Sequence, residues 1–363
     1  MSDPNSAPTY LLAGGGTAGH VNPLLAVADG LRRRDPGADV LVLGTREGLE
    51  TRLVPDRGYE LLFVDKVPFP RRPDAAAAQF PARFRRAIAQ VRGHIRERGV
   101  DVLVGFGGYA SAPAYVAARR ERIPFVVHEA NAKPGLANIL GARAAAGVGT
   151  VFEGTPLRRS KVVGMPLRRE IVDLDRAARR EAAAASFGLD PSRPVLLVFG
   201  GSLGARRINE AVAGGWSAVT DAGWQILHAA GERNELVDPG HPDYRVVPYL
   251  DRMADAFAVA DAIVSRAGAA TVSEISALGI PAVYVPYAVG NGEQALNAAA
   301  AVRAGAAKLI PDADFDAERL RADVVPLLQD PEALGRMRDR AAGVGTLRGT
   351  ENVISMIDAA LGR

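Results

Sequence analysis

Ala262-Ile-Val-Ser-Arg-Ala-Gly-Ala-Ala-Thr-Val-Ser-Glu274 reads as a short buried strand, a turn of small residues and the start of a helix that runs to Gly279. Ala262 to Val264 carry the unbroken apolar pattern of a parallel strand, Gly268 permits a tight reversal, and Gly279 followed by Pro281 stops the helix. A helix N-terminus is then open at Ala269 to Thr271. Its N–H groups and partial positive charge suit an anion, and Glu274 stands where a carboxylate can accept from hydroxyls such as a ribose diol. A second reading is local: Thr271-x-x-Glu274 matches a capping box, whose carboxylate only satisfies the backbone at the helix start.

The same plan of strand, glycine turn and helix recurs outward from this stretch. Pro194 to Phe199 runs into Gly200-Gly-Ser-Leu-Gly204 and a helix from Ala205 to about Val212. Thr9 to Ala13 runs into Gly14-Gly-Gly-Thr-Ala-Gly-His20 and a helix over Pro23 to Arg34, and Val102 to Val104 runs into Gly105-Phe-Gly-Gly-Tyr109. Further strands are expected at Val40 to Leu43, Leu61 to Val64, Pro124 to His128, Gln225 to Leu227, Arg245 to Val247 and Ala282 to Val285. Strands alternating with helices predict an α/β protein with doubly wound parallel sheets, whose ligands lie beyond the carboxyl ends of the strands.

The 363 residues, 48% hydrophobic, exceed one ordinary core and suit two domains. Gly and Pro interrupt the pattern between Ser160 and Arg169, so the boundary is expected there: 1–163 and 164–363, with a last helix able to pack back on the first domain. The absence of cysteine excludes disulfides, thiolate zinc sites and a cysteine nucleophile. Met1 to Pro8 is polar and no run of about 18 apolar residues occurs, which predicts a cytoplasmic protein without a membrane span. With 44 basic against 41 acidic residues, nucleic acid is not an expected partner.

Gly14-x-Gly16-x-x-Gly19 after a strand matches the dinucleotide fingerprint in form. NAD binding then requires a carboxylate at the end of the second strand, where Leu41-Val-Leu-Gly-Thr-Arg46 offers none; Arg46 keeps an NADP enzyme among the alternatives. His20 follows the last glycine, the place where reacting groups gather, though a lone histidine is also a common structural residue. Gly200-Gly-Ser202-Leu-Gly204 is a second cradle for phosphate.

Seven segments occur in a telling order: Gly14-Gly-Gly-Thr-Ala-Gly-His20-Val-Asn-Pro, Gly105-Phe-Gly-Gly-Tyr109, His128-Glu-Ala-Asn131 with Pro134-Gly-Leu-Ala-Asn138, Gly164-Met-Pro-Leu-Arg168, Gly200-Gly-Ser-Leu-Gly-Ala-Arg206, Arg266 to Glu274, and Gly292-Glu-Gln294-Ala-Leu-Asn297. Over nearly the whole chain this resembles the MurG family of glycosyltransferase family 28, the peptidoglycan N-acetylglucosaminyltransferases that convert lipid I to lipid II, in particular its actinobacterial members. The resemblance implies a GT-B architecture of two Rossmann-like domains facing across a cleft, the C-terminal one holding UDP-GlcNAc and the N-terminal one the lipid acceptor, with no cofactor. It implies that Ser202, Arg168 and the helix start at Ala269, Ala270 and Thr271, continuing through Val272 and Ser273, hold the diphosphate. By the same resemblance Glu274 takes the ribose, the Leu250 backbone reads uracil, and Gln294 contacts the sugar hydroxyls. Thr17, Ala18, Gly19 and Asn131 face donor sugar and acceptor, with His20 the first candidate base and Glu129 the second. Leu203 and Ala130 depart from the family pattern, each standing where glutamine is usual. A UDP-sugar epimerase and a transfer-inactive UDP-GlcNAc-binding homologue are the other readings.

Arg71, Arg72, Arg83, Arg85, Arg86, Arg92, Arg96 and Arg98 face only Asp74 and Glu97 in the local sequence, while Phe80, Phe84, Ile88, Val91 and Ile95 recur at helical spacing beside them. One reading is a core stripe with a solvated basic face. The other is a patch, centred on Phe80, Arg83, Phe84, Arg85 and Arg86, that docks on an anionic membrane and places the protein peripherally on its cytoplasmic face. The pairs Asp173/Asp175 and Asp312/Asp314 lie away from the glycine turns, so no metal site is expected.

Overall fold

The computed structural model describes residues 7–70, 72, 75–201, 204–232, 234, 236, 238–287 and 292–363. The chain divides into two compact units, one ending at Arg168 and taking back Leu347–Arg363, the other spanning Arg169–Thr346.

In the first unit seven strands, β1 (Thr9–Ala13), β2 (Asp39–Gly44), β3 (Glu60–Phe63), β4 (Val102–Gly105), β5 (Phe125–Glu129), β6 (Gly147–Thr150) and β7 (Lys161–Val162), pair in parallel in the order β3-β2-β1-β4-β5-β6-β7. Helices α1 (Ala18–Arg34), α2 (Glu50–Asp56), α3 (Ala75–Glu97), α4 (Ser111–Glu121) and α5 (Leu136–Gly141) connect them. Alternate strand residues feed opposite faces. Leu11, Leu41 and Leu103 pack with Ile88, Val91 and Ile95 of α3, whereas Tyr10, Leu12 and Val42 pack with Leu24, Val27 and Leu31 of α1. Burial on both faces is the physical reason these strands read as unbroken apolar runs.

The second unit holds α6 (Arg169–Val172), α7 (Arg176–Phe187), β8 (Val195–Phe199), α8 (Arg206–Asp221), β9 (Gln225–Ala229), β10 (Tyr244–Val247), α9 (Met253–Val259), β11 (Ala262–Ser265), α10 (Ala269–Ala277), β12 (Ala282–Tyr284), α11 (Glu293–Arg303) and β13 (Ala307–Leu309). There follow α12 (Ala317–Arg319), a π-helical turn over Leu320–Val324, α13 (Val325–Leu328) and α14 (Pro331–Ala341). Its six parallel strands run β10-β9-β8-β11-β12-β13, which is the first unit's order again.

The final helix, α15 (Gly349–Leu361), belongs to the first unit. Val353, Ile354 and Ile357 join the α1 side of that core, Asn352 Nδ2 donates to the Val163 carbonyl at 2.9 Å, and Arg34 pairs with Asp358. Helix α1 admits α15 through Gly30, whose hypothetical Cβ would lie 2.7 Å from Thr350 and 2.8 Å from Ile354. Gly30→Leu is therefore expected to destabilise the first unit by roughly 1–3 kcal/mol through overpacking; a urea midpoint equal to the parent's would show that α15 does not seat there.

Candidate active site

Strand order reverses between β1 and β4 in one sheet and between β8 and β11 in the other, and in such sheets ligands lie beyond the carboxyl ends at this switch point. The glycine turns singled out in the sequence occupy these positions.

In the first unit α1 begins at Ala18, five residues before the Pro23 expected from sequence, so His20 stands in its first turn. Thr17 is the extended N-cap residue and caps with its backbone alone; Thr17, Ala18 and Gly19 are exposed. The turn after β4 packs against the β1 loop so closely that a Cβ on Gly108 would lie 2.5 Å from the Gly15 carbonyl oxygen. His20 Nδ1 is 3.2 Å from that carbonyl and 3.3 Å from Thr17 Oγ1. A carbonyl only accepts, so Nδ1 carries the proton and Nε2 keeps its lone pair. Gly107 borders Nε2, where a Cβ would sit 3.1 Å away. Burial holds the His20 pKa below the ordinary histidine value, against the charges of Glu129 and Glu50 and the bond to Gly15, which favour protonation.

Glu129, at the end of β5, is 2% exposed and accepts from Asn131 N (2.9 Å), Gly135 N (3.0 Å) and Asn138 Nδ2 (2.9 Å). A carboxylate so occupied braces the loop that carries Asn131. Asn138 is held in turn, accepting from the Tyr115 hydroxyl at 2.7 Å and donating to the His128 carbonyl. Ala130, the departure from the family pattern, is buried. Sequence reasoning missed Glu50. It is fully buried and accepts from Gly16 N (2.8 Å), Thr45 N (2.9 Å) and Thr45 Oγ1 (3.0 Å). The only signal was the pair Gly44 and Gly48 beside it, since a Cβ at either would lie within 2.5 Å of the Glu50 side chain.

In the second unit Gly268 is the N-cap of α10 and no side chain caps the helix. Thr271 is thus the third helical residue and Glu274 the sixth, so the capping-box reading fails and the helix start is open. Glu274 is 8% exposed, and its Cα–Cβ bond tilts back toward that start as in any α-helix. Ala269 is buried, and Ala270 and Thr271 are half-buried. The Val272 side chain is core, and the Ser273 hydroxyl donates to the Ala269 carbonyl at 2.8 Å. Gln294, on α11, accepts with Oε1 from Ala267 N (3.2 Å) and Tyr287 N (2.9 Å), tying two loops together and leaving its NH₂ as the group it can offer. Leu250 is buried in the loop after β10. Arg168, half-buried, is the last residue of the first unit before the chain enters the second. Ser202 and Leu203 lie outside the described residues.

On α3 the apolar stripe divides. Ile88, Val91 and Ile95 are core, while Phe80 and Phe84 are half-buried and cluster with Phe69, ring centroids 5.3 to 6.4 Å apart. The basic face is more neutralised than the local sequence implied: Arg92 and Arg96 pair with Glu121, Arg98 with Glu60 and Asp39, and Arg86 with Asp65. Arg83 donates to the Lys66 carbonyl at 3.0 Å, and Arg85 is exposed. Arg71 and Asp74 lie outside the described residues. Of the aspartate pairs, Asp312 binds Arg266 and Arg207, and Asp173 binds Arg169.

Two doubly wound parallel-sheet units with open helix starts at their switch points are the architecture of the GT-B fold. Among solved structures, a UDP-GlcNAc 2-epimerase from Neisseria meningitidis shares that fold at 12% identity (TM-score 0.67, covering 96% of this chain and 99% of that one), and MurG from Acinetobacter baumannii matches at TM-score 0.80 and 29% identity, covering 97% of this chain and 99% of that one. The glycosyltransferase family 28 N-terminal domain matches residues 10–150 and the family 28 C-terminal domain residues 195–353, so the chain belongs to glycosyltransferase family 28. A relative from Clavibacter michiganensis, named UDP-N-acetylglucosamine–N-acetylmuramyl-(pentapeptide) pyrophosphoryl-undecaprenol N-acetylglucosamine transferase, is 61% identical over 96% of this chain and 95% of its own.

Two buried histidines frame the sites and set a pH limit. His128 Nε2 lies 3.1 Å from the Gly164 carbonyl and its Nδ1 has no partner among the described residues; burial lowers its pKa to about 4. His228 lies between Tyr244 (2.7 Å) and Asn209 (3.1 Å), and burial lowers it to about 3. Because the unfolded chain protonates first as pH falls, stability present above about 6.5 is lost as the pH drops toward these folded values, by on the order of 3 kcal/mol for His128 across its window. Thermal unfolding from pH 7 to 4 should decline accordingly and His128→Gln should flatten the first unit's share; an unaltered slope would assign it to another group.

Proposed function

We propose that this chain is an inverting glycosyltransferase that moves GlcNAc from UDP-GlcNAc to the C4 hydroxyl of MurNAc in lipid I, forming lipid II for peptidoglycan synthesis. The observation that carries the reading is the 61% identity, over nearly the full length of both chains, to a relative named for this transfer. The epimerase likeness is one of fold alone.

The chemistry is a single displacement: the acceptor oxygen forms a bond to the anomeric carbon as the bond to UDP breaks, inverting α to β. The hydroxyl proton goes to His20 Nε2, the lone pair left by the Nδ1–H bond to Gly15. The charge growing on the leaving diphosphate meets the uncapped start of α10, with Arg168 and Ser202 as further donors. Glu274 accepts from the ribose hydroxyls, the Leu250 backbone reads uracil, and Gln294 offers its NH₂ to a sugar hydroxyl. Thr17, Ala18, Gly19 and Asn131 line the sugar and acceptor side, with Glu129 fixing the Asn131 loop.

An acceptor confined to a bilayer requires the enzyme to work at its surface. The Phe69–Phe80–Phe84 cluster beside exposed Arg85 supports docking of the first unit on anionic lipid at the cytoplasmic face, although no helix among the described residues is long and apolar enough to cross a membrane.

Radiolabelled GlcNAc should pass from UDP-GlcNAc to a short-chain lipid I analogue in β-1,4 linkage; UDP binding without transfer would sink the reading. His20→Ala should lower kcat by roughly 10²- to 10⁴-fold with donor affinity intact, and near-normal turnover would remove His20 from its role. Arg85→Glu should weaken partitioning onto anionic vesicles on the order of tenfold, since each basic side chain near such a surface contributes about 1 kcal/mol and reversal adds repulsion; unchanged partitioning would move the docking face elsewhere.

A further inference from the structure

The peptide group joining Gly15 to Gly16 is held at both ends. Its N–H, on Gly16, donates to Glu50 Oε2 at 2.8 Å, and its C=O, on Gly15, accepts from His20 Nδ1 at 3.2 Å. A trans peptide is planar, so its N–H and C=O point in opposite directions in one plane, and turning one end turns the other. The carboxylate is itself immobile. Its second oxygen accepts from Thr45 N and Thr45 Oγ1, and glycines at 15, 44 and 48 close around it, each with a hypothetical Cβ 2.0 to 2.5 Å from the Glu50 side chain.

We propose that Glu50 is a positioning residue for proton transfer: through this one peptide group it holds His20 as the Nδ1–H tautomer and leaves Nε2 as the acceptor. The inference rests on His20 being the base and deepens that reading. A carboxylate holding the far side of an imidazole is how the aspartate of a Ser-His-Asp triad works, and here a peptide group is interposed. The anion on the Gly16 N–H polarises the amide and makes the Gly15 oxygen a stronger acceptor. The ionisable groups facing His20 are Glu129 and His128 of β5 and Glu50 of α2; both carboxylates favour the protonated ring, and burial outweighs them.

The test is Glu50→Gln, which keeps the side chain's shape but has one oxygen for donors on two sides. With histidines labelled in nitrogen-15 and the His20 signal assigned through His20→Asn, the parent should show Nδ1 protonated and Nε2 bare, and the variant a mixture of tautomers. Turnover should fall roughly tenfold or more, a part of what a general base supplies, with KM for UDP-GlcNAc unchanged. Removing a charge that favours protonation lowers the His20 pKa further, so the acidic limb of kcat/KM should move to lower pH. A Glu50→Gln protein with parental tautomer and parental limb overturns the proposal whatever its kcat, because a merely structural loss would move neither. Where the variant does not fold, the parent alone decides: an Nε2–H tautomer at His20 overturns it, and an Nδ1–H tautomer with a Gly16 amide proton shifted downfield by its bond to the carboxylate supports it. Full turnover in His20→Ala would defeat the base assignment itself, and would do so in the activity assay rather than in the ring's spectrum.

Discussion

At the carboxyl ends of β1 and β4 the backbone has to approach other backbone more closely than any side chain allows. A Cβ on Gly108 would clash with the Gly15 carbonyl oxygen at 2.5 Å, and one on Gly107 would press on the His20 ring at 3.1 Å. Because the two central strands of a doubly wound sheet diverge into helices on opposite faces, the crevice between their ends is the one place where two loops meet over an open helix start. That approach sets the Gly15 oxygen against His20, and at Gly107 it leaves no Cβ beside Nε2.

Close approach of backbone leaves polar groups away from water, and each unpaired one costs roughly 1–3 kcal/mol. The first unit meets this with side chains that take several donors at once. Glu129 takes three and Glu50 takes three, while Ser111 accepts from the Gly107 amide and has its one hydroxyl proton within reach of the Gly107 and Ala13 carbonyls. In the second unit Gln294 does the same for two amides with one oxygen. Loops pinned in this way lose little further freedom when a ligand binds, which is how a site on loops reaches the precision of one on helices.

What the sequence made legible followed from short-range physics. Apolar runs ending in glycine located the central strands, since burial on both faces and a tight turn at the end leave that mark directly. The edge strands β7 and β13 and the inner β6 beside β7 were not found; Gly147-Val-Gly-Thr150 and the two-residue Lys161–Val162 carry almost no apolar run to recognise. Pro23 misled as a helix start because proline favours the first turn, whereas the helix begins at Ala18, directly after the glycine run. Thr271-x-x-Glu274 looked like a capping box because the spacing was right; a shift of three residues in where the helix begins removes the cap and leaves the open N-terminus. The acidic partners of the α3 arginines could not be read at all, and Glu50 left only the glycines beside it as a signal, since the contacts to Gly16 and to Glu121 and Glu60 join segments far apart in the chain.

The two units share one strand order, yet they put the switch point to opposite electrostatic use. In the first, the turn of α1 carries an imidazole whose Nδ1 is already committed to a carbonyl, so what Nε2 has to offer is a lone pair. In the second, α10 begins without a side-chain cap and without an acidic residue in its first turn, so what faces outward is a set of N–H groups. The proposed inverting displacement uses both, an acceptor for the proton of the attacking hydroxyl and donors for the oxygen that leaves. A single fold, repeated, can supply both only if its loops differ. The difference lies in a few residues after β1 and β11, while the strands that position them remain interchangeable apolar runs.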